Sequence, residues 1–172
     1  MKKTFSAVLA MLLLVACLSS CQKDPVVLDL QAEANSILST YQLEGGNLYT
    51  STSTVLGEYL DEDLIRSYYG DLTSMPDFGS VESYVVYIDE SKPILPCEFG
   101  LFKMKEGADA QAFIAYLQAR IDLKIQNAKA YPSMDTSMLV SAKFVEKDGY
   151  VWYCAVKDAN DQINSALEAK FN

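Results

Sequence analysis

Apolar residues along the chain fall into three patterns: one nearly continuous run at the N-terminus, stripes at helical spacing, and segments that alternate. Leu30, Ala34, Ile37, Leu38 and Tyr41 recur three and four apart, which predicts a helix stopped by Gly45-Gly46. The polar stretch Thr50 to Thr54 then reads as a loop, and Leu56, Leu60, Leu64 and Tyr68 predict a second short helix ending at Gly70. "SYVVYID" (Ser83 to Asp89) and "EFGLFKM" (Glu98 to Met104) are rich in β-branched and aromatic residues. They predict two strands joined by the proline-bearing loop "ESKPILPC".

The clearest stripe is Ala110, Phe113, Ile114, Leu117, Ile121, Ile125 and Ala128, a helix from about Ala108 to Ala130. It has to stop near Tyr131, because Pro132 disfavours helical geometry in the residue before it. From Leu139 the chain alternates around Asp148-Gly149, the two-residue signature of a type I′ hairpin. Pairing across that turn sets Val140, Ala142 and Phe144 on one face with Val151, Tyr153 and Ala155. A final helix takes Asp158 or Asn160 as its cap and Ile163, Ala166, Leu167 and Phe171 as its inner stripe. The order α-α-β-β-α-β-β-α predicts an α+β fold, an antiparallel sheet made from two hairpins with helices packed on one face.

The N-terminal run reads as an export signal rather than a core element. Lys2 and Lys3 precede an apolar segment from Phe5 to Val15 that is too short for a membrane span, which takes about 20 apolar residues. Both "LVAC" and "LSSC" resemble the lipobox of bacterial lipoproteins, an apolar residue and two small ones before the cysteine that receives diacylglycerol. Cys21 is favoured, since it leaves the longer apolar segment and a polar mature start, "CQKD"; Cys17 is the alternative. The expected organisation is a signal peptide over 1–20, a tether over 21–27 and one α+β domain over 28–172. The implied partner is a membrane, reached through the N-terminal lipid.

Charge narrows the remaining partners. Removing Lys2 and Lys3 from the 14 basic residues leaves 12 against 23 acidic ones, a mature net charge of −11. Such a surface repels polyanions, so no nucleic-acid partner is expected. The chain has no histidine, which removes the usual general base near neutral pH, the commonest metal ligand and every histidine-dependent triad. No cofactor and no metal are expected. "DANDQINSALEA", from Asp158, fails as an EF-hand loop because Ile163 stands where glycine is needed and Ala169 where the bidentate glutamate belongs.

Four groups of residues carry candidate chemistry. Arg120 sits at the edge of the long helical stripe and Glu98 opens the strand on which that helix should pack. The pair either holds a ligand carboxylate or phosphate, or clamps helix to sheet. Cys97 and Cys154 are either a disulfide or two small buried hydrophobes, and two free thiols are expected. Glu58, Asp61, Glu62 and Asp63 either bind calcium or complement a helix dipole. Trp152, Tyr150, Tyr84 and Tyr87 either line a carbohydrate- or peptide-binding face or belong to the sheet core.

The segment from about Asp61 to Phe171 resembles the bacterial lipoproteins grouped as domain of unknown function (DUF) number 4358, common in gut Firmicutes. The resemblance rests on Tyr68-Tyr69-Gly70, on Glu98, Phe102 and Lys103 in "EFGLFKMK", and on Arg120 and Gln126 leading to Tyr131-Pro132. Gly149-Tyr150 completes it. What it implies is an envelope-tethered domain of unestablished activity. The expectation is therefore a lipid-anchored, extracytoplasmic, non-catalytic module binding an envelope ligand or protein. The alternative is a carboxylate-dependent envelope hydrolase, with Glu98 and either Asp89 or Glu90 as the first pair to inspect.

Overall fold

A computed structural model describes residues 26–70, 78–89, 91 and 97–172. The expected signal peptide, Cys17, Cys21, most of the expected tether and Glu90 lie outside the described residues. Helices α1 (Leu30–Thr40), α2 (Glu62–Tyr69), α3 (Ala110–Ala128), α4 (Ser137–Val140) and α5 (Asn160–Glu168) accompany five strands. These are β1 (Asn47–Thr50), β2 (Val81–Ile88), β3 (Glu98–Met104), β4 (Lys143–Lys147) and β5 (Tyr150–Ala155). The strands form one sheet in the order β1-β2-β3-β5-β4, every neighbour antiparallel. The α+β class and the antiparallel sheet are as the sequence predicts.

Local chemistry sets most boundaries. Asp29, Asp61 and Asp109 cap α1, α2 and α3, each carboxylate accepting a backbone N–H three residues on at 2.8–3.0 Å. Because Asp61 takes the cap position, α2 starts later than its apolar spacing predicts, and Leu56 is left exposed. At the hairpin both Asp148 (φ 51°) and Gly149 (φ 80°) adopt the left-handed conformation that a type I′ turn requires. The register pairs Phe144 with Tyr153 and Glu146 with Val151, so the expected facing holds through β4. Val140 instead falls in α4 and is exposed.

Two expectations need correction. The sequence predicts no strand between Gly46 and the loop at Thr50 to Thr54, yet Asn47–Thr50 form β1, a short edge strand that leads into that loop and is defined by its ladder partners, Val85 to Ile88. Of its four residues only Tyr49 is buried, so no alternating pattern marks it. The helices also do not share one face. α2, α3 and α4 pack over Val86, Ile88, Phe102, Met104, Val151 and Tyr153. α1 and α5 cover Val85, Tyr87, Phe99, Leu101, Trp152 and Cys154 on the other side. The cause is the composition of the central strands: every residue of β5 is buried, and a strand apolar on both sides needs cover on both sides.

Among the described residues no helix is long and apolar enough to cross a membrane.

Candidate functional site: a sealed arginine–glutamate clamp and a polar groove

Glu98 enters the core because β3 begins with it and pairs it with Ile88 on one side and Ala155 on the other, on the sheet face that α3 covers. Arg120 lies in the buried stripe of α3, about two turns before its last member Ala128, and reaches down to meet Glu98. The guanidinium Nε donates to Glu98 Oε1 at 2.8 Å and Nη2 donates to Oε2 at 2.5 Å, a bidentate fork. Nη1 donates to the Tyr68 carbonyl in the last turn of α2, where a cation complements the helix dipole. The rings of Tyr68 and Tyr69 flank the guanidinium at 5.4 and 5.0 Å from Cζ. Tyr153 donates to Glu98 Oε1 at 3.3 Å, and since its proton is thereby committed, Tyr69 donates to Tyr153 at 3.2 Å.

This cluster is shut away from solvent. Glu98 is 0 % and Arg120 5 % exposed, and no buried side-chain polar atom among the described residues lacks a hydrogen-bond partner. Burial works against the Arg120 charge, but the attraction of Glu98 and its hydrogen bonds together outweigh it and hold the guanidinium pKa above its ordinary value. Burial raises the phenol pKa of both Tyr69 and Tyr153, so both stay protonated. The arrangement is therefore a clamp joining β3, β5, α2 and α3 rather than a site open to ligand. Tyr68, Tyr69, Glu98 and Arg120 converge on it. Gln126 lies exposed on α3, apart from this cluster.

The other candidates separate. Asp89 follows Ile88 and its backbone N–H bonds the Cys97 carbonyl, so strand alternation turns its side chain to the sheet face opposite Glu98. Glu98 and Asp89 consequently do not face each other across a cleft. Trp152, Tyr150 and Tyr87 are buried beneath α1 and α5, whereas Tyr84 packs on the opposite face with its hydroxyl beside Leu60; they form no common face. Asp61 caps α2, Glu62 pairs with Arg66 at 3.9 Å, and Glu58 accepts from Ser53 at 2.9 Å. Among the described residues no group of three or more carboxylates or thiols is placed to hold a metal ion.

Cys97 and Cys154 are not joined in a disulfide. Their strands are neighbours, but Cys154 pairs with Phe99, which sets Cys97 diagonal to it rather than opposite. Diagonal positions lie about 7–8 Å apart, beyond the usual Cα spacing of a disulfide. Burial pushes the Cys154 thiol up to about 12, so it is no nucleophile near neutral pH.

Sequence reasoning overlooked a concave surface at the start of α5. Asp158 is exposed with φ 56°, and neither it nor Asn160 caps the helix; Ala159 holds that position without a side-chain bond. Asn160 is buried and turned back: its Oδ1 accepts from Val156 N at 2.7 Å, while its Nδ2 donates to the Met138 carbonyl and to Ser141 Oγ, both at 2.9 Å. It thus ties α5 to α4 across a groove of about 330 Å³ lined by Ser137, Ser141, Asp158, Asp161 and Gln162. The polar run "KDANDQ" was the only available signal, and composition alone could not tell a groove wall from a solvated turn.

The chain matches no protein-family model, no curated protein and no solved structure.

Proposed function

We propose that this chain is a lipid-anchored, extracytoplasmic domain of a bacterial cell envelope, of the lipoprotein group that its motifs resemble, and that it binds an envelope ligand or protein without catalysing a reaction. The observation that carries the reading is the tripartite sequence pattern at the N-terminus: Lys2-Lys3, the apolar segment Phe5 to Val15, then Leu18-Ser19-Ser20-Cys21. Binding rather than catalysis is supported by the fate of the two strongest chemical candidates. Glu98 and Arg120 neutralise each other inside the core, and the polar groove between α4 and α5 offers an accessible concavity among the described residues.

Metabolic labelling with palmitate tests the anchor. Label should enter the wild-type chain, Cys21→Ala should remove most of it, and Cys17→Ala should leave most in place. Labelling lost with Cys17→Ala instead would move the lipid to Cys17, and soluble secretion of an unlabelled wild type would overturn the lipoprotein reading. A thermal-shift screen of residues 22–172 against cell-wall fragments, sugars, peptides and divalent ions tests binding.

A further inference from the structure

A lipidated Cys21 would leave very little chain between the bilayer and the domain. Val26 is already packed against the core beneath α1 and α5, and Leu28 N donates to the Tyr150 hydroxyl at 3.0 Å. Five Cα steps separate Cys21 from Val26, and whatever their conformation they span at most about 18 Å.

The chain enters the domain at one particular end of the sheet. Tyr150 begins β5 and pairs with Lys103 near the end of β3 and with Lys147 at the end of β4. The Asp148–Gly149 turn, Lys105 and Glu106 lie at this same end, since Met104 N bonds the Gly149 carbonyl and Lys105 N bonds Ser80. α1 then carries the chain to the other end, where Gly46 N meets the Tyr87 hydroxyl and Asn47 pairs with Ile88. The α4–α5 groove is at that other end too, joined through Asn160 to Val156, just past β5. From Tyr150 to Val156 the strand runs roughly 20 Å.

We infer that the sheet end bearing Glu106 and the Asp148–Gly149 turn faces the lipid headgroups that hold the protein's own anchor, and that the groove opens away from the bilayer. The inference rests on the lipid-anchored reading with Cys21 as the modified residue. Turning the domain over would lift Val26 above the headgroups by the whole strand length plus the loops beyond it, more than the tether spans. Tilting is free, but inversion is not. A ligand or partner of the groove is therefore met from the wall or periplasmic side, not from the membrane.

Energy transfer to the bilayer measures this directly. The lipidated chain, carrying Cys97→Ser so that buried Cys154 is the one native thiol left in the domain, would receive a donor dye at Glu106→Cys or at Lys157→Cys, both exposed positions at opposite ends. Each is reconstituted into phosphatidylethanolamine–phosphatidylglycerol vesicles with a headgroup-linked, short-range acceptor. A height difference of roughly 20 Å should make transfer from position 106 at least about twofold greater than from position 157. Twelve Gly/Ser residues inserted after Pro25 should reduce that difference. Equal transfer from both sites, or the reverse order, would overturn the orientation while vesicle flotation still upholds the anchor. Protein that does not float with vesicles at all would overturn the anchor and the orientation together.

Discussion

Replacing Arg120 by methionine removes the one cation facing a carboxylate that solvent cannot reach. Three hydrogen bonds go with it: two to Glu98 and one to the Tyr68 carbonyl. Glu98, at 0 % exposure, would keep only the Tyr153 hydroxyl among the partners described. Breaking a buried pair from one side costs about 3–5 kcal/mol, a large part of the roughly 5–15 kcal/mol by which such domains are stable. At about 2–4 °C per kcal/mol for a chain of this size, the melting temperature should fall by about 6–20 °C. Glu98→Leu alone strands the guanidinium and should cost a similar amount. Both changes together leave no buried charge, so the double variant should recover most of the loss, a coupling of about 2–4 kcal/mol. Urea and thermal unfolding of residues 22–172, followed by circular dichroism, give all four corners of this cycle. Single variants within about 1 kcal/mol of wild type, or a double variant equal to the sum of the singles, would refute the clamp.

The pKa shifts predict an alkaline weakness. Tyr69, Tyr153 and Cys154 hold their protons more tightly folded than unfolded, so their contribution is complete below pH 9. It declines above that by up to about 1.4 kcal/mol per pH unit for each group, until the folded group itself ionises. The urea midpoint should drop from pH 9 to pH 11, less steeply in Cys154→Ala, and a flat profile would contradict the assigned burial. Asn160→Ala should cost about 2–3 kcal/mol, because Val156 N–H loses its partner and α4 its tie to α5. Asn160→Asp keeps the acceptor and should restore part of that stability, as read by urea unfolding. Thiol titration of the unfolded, unreduced chain from residue 22 should find two free thiols; none, with two hydrogens gained on reduction, would show a Cys97–Cys154 bridge and displace the diagonal register.

Sequence alone determined the elements whose signals are local. The stripe of α3 needs only its own apolar spacing and Pro132 beyond it; the β4–β5 hairpin needs only Asp148-Gly149, because few other pairs accept left-handed backbone twice in succession. The proposed export signal is likewise read from a linear pattern. Glu98 and Arg120 were legible as a pair, since a charge beside an apolar stripe and one opening an apolar strand have few partners inside a core. Tertiary structure decided what depends on which strands are neighbours. β1 exists because β2 offers it a ladder, Tyr153 joins the clamp because β5 lies beside β3, and the cysteines miss each other because the register places them diagonally. The helices divide between two faces for the same reason. A run such as "YVWYCAV" already shows that both sides of a strand are apolar, but which helix covers which side is settled only when the loops and the long-range packing close together.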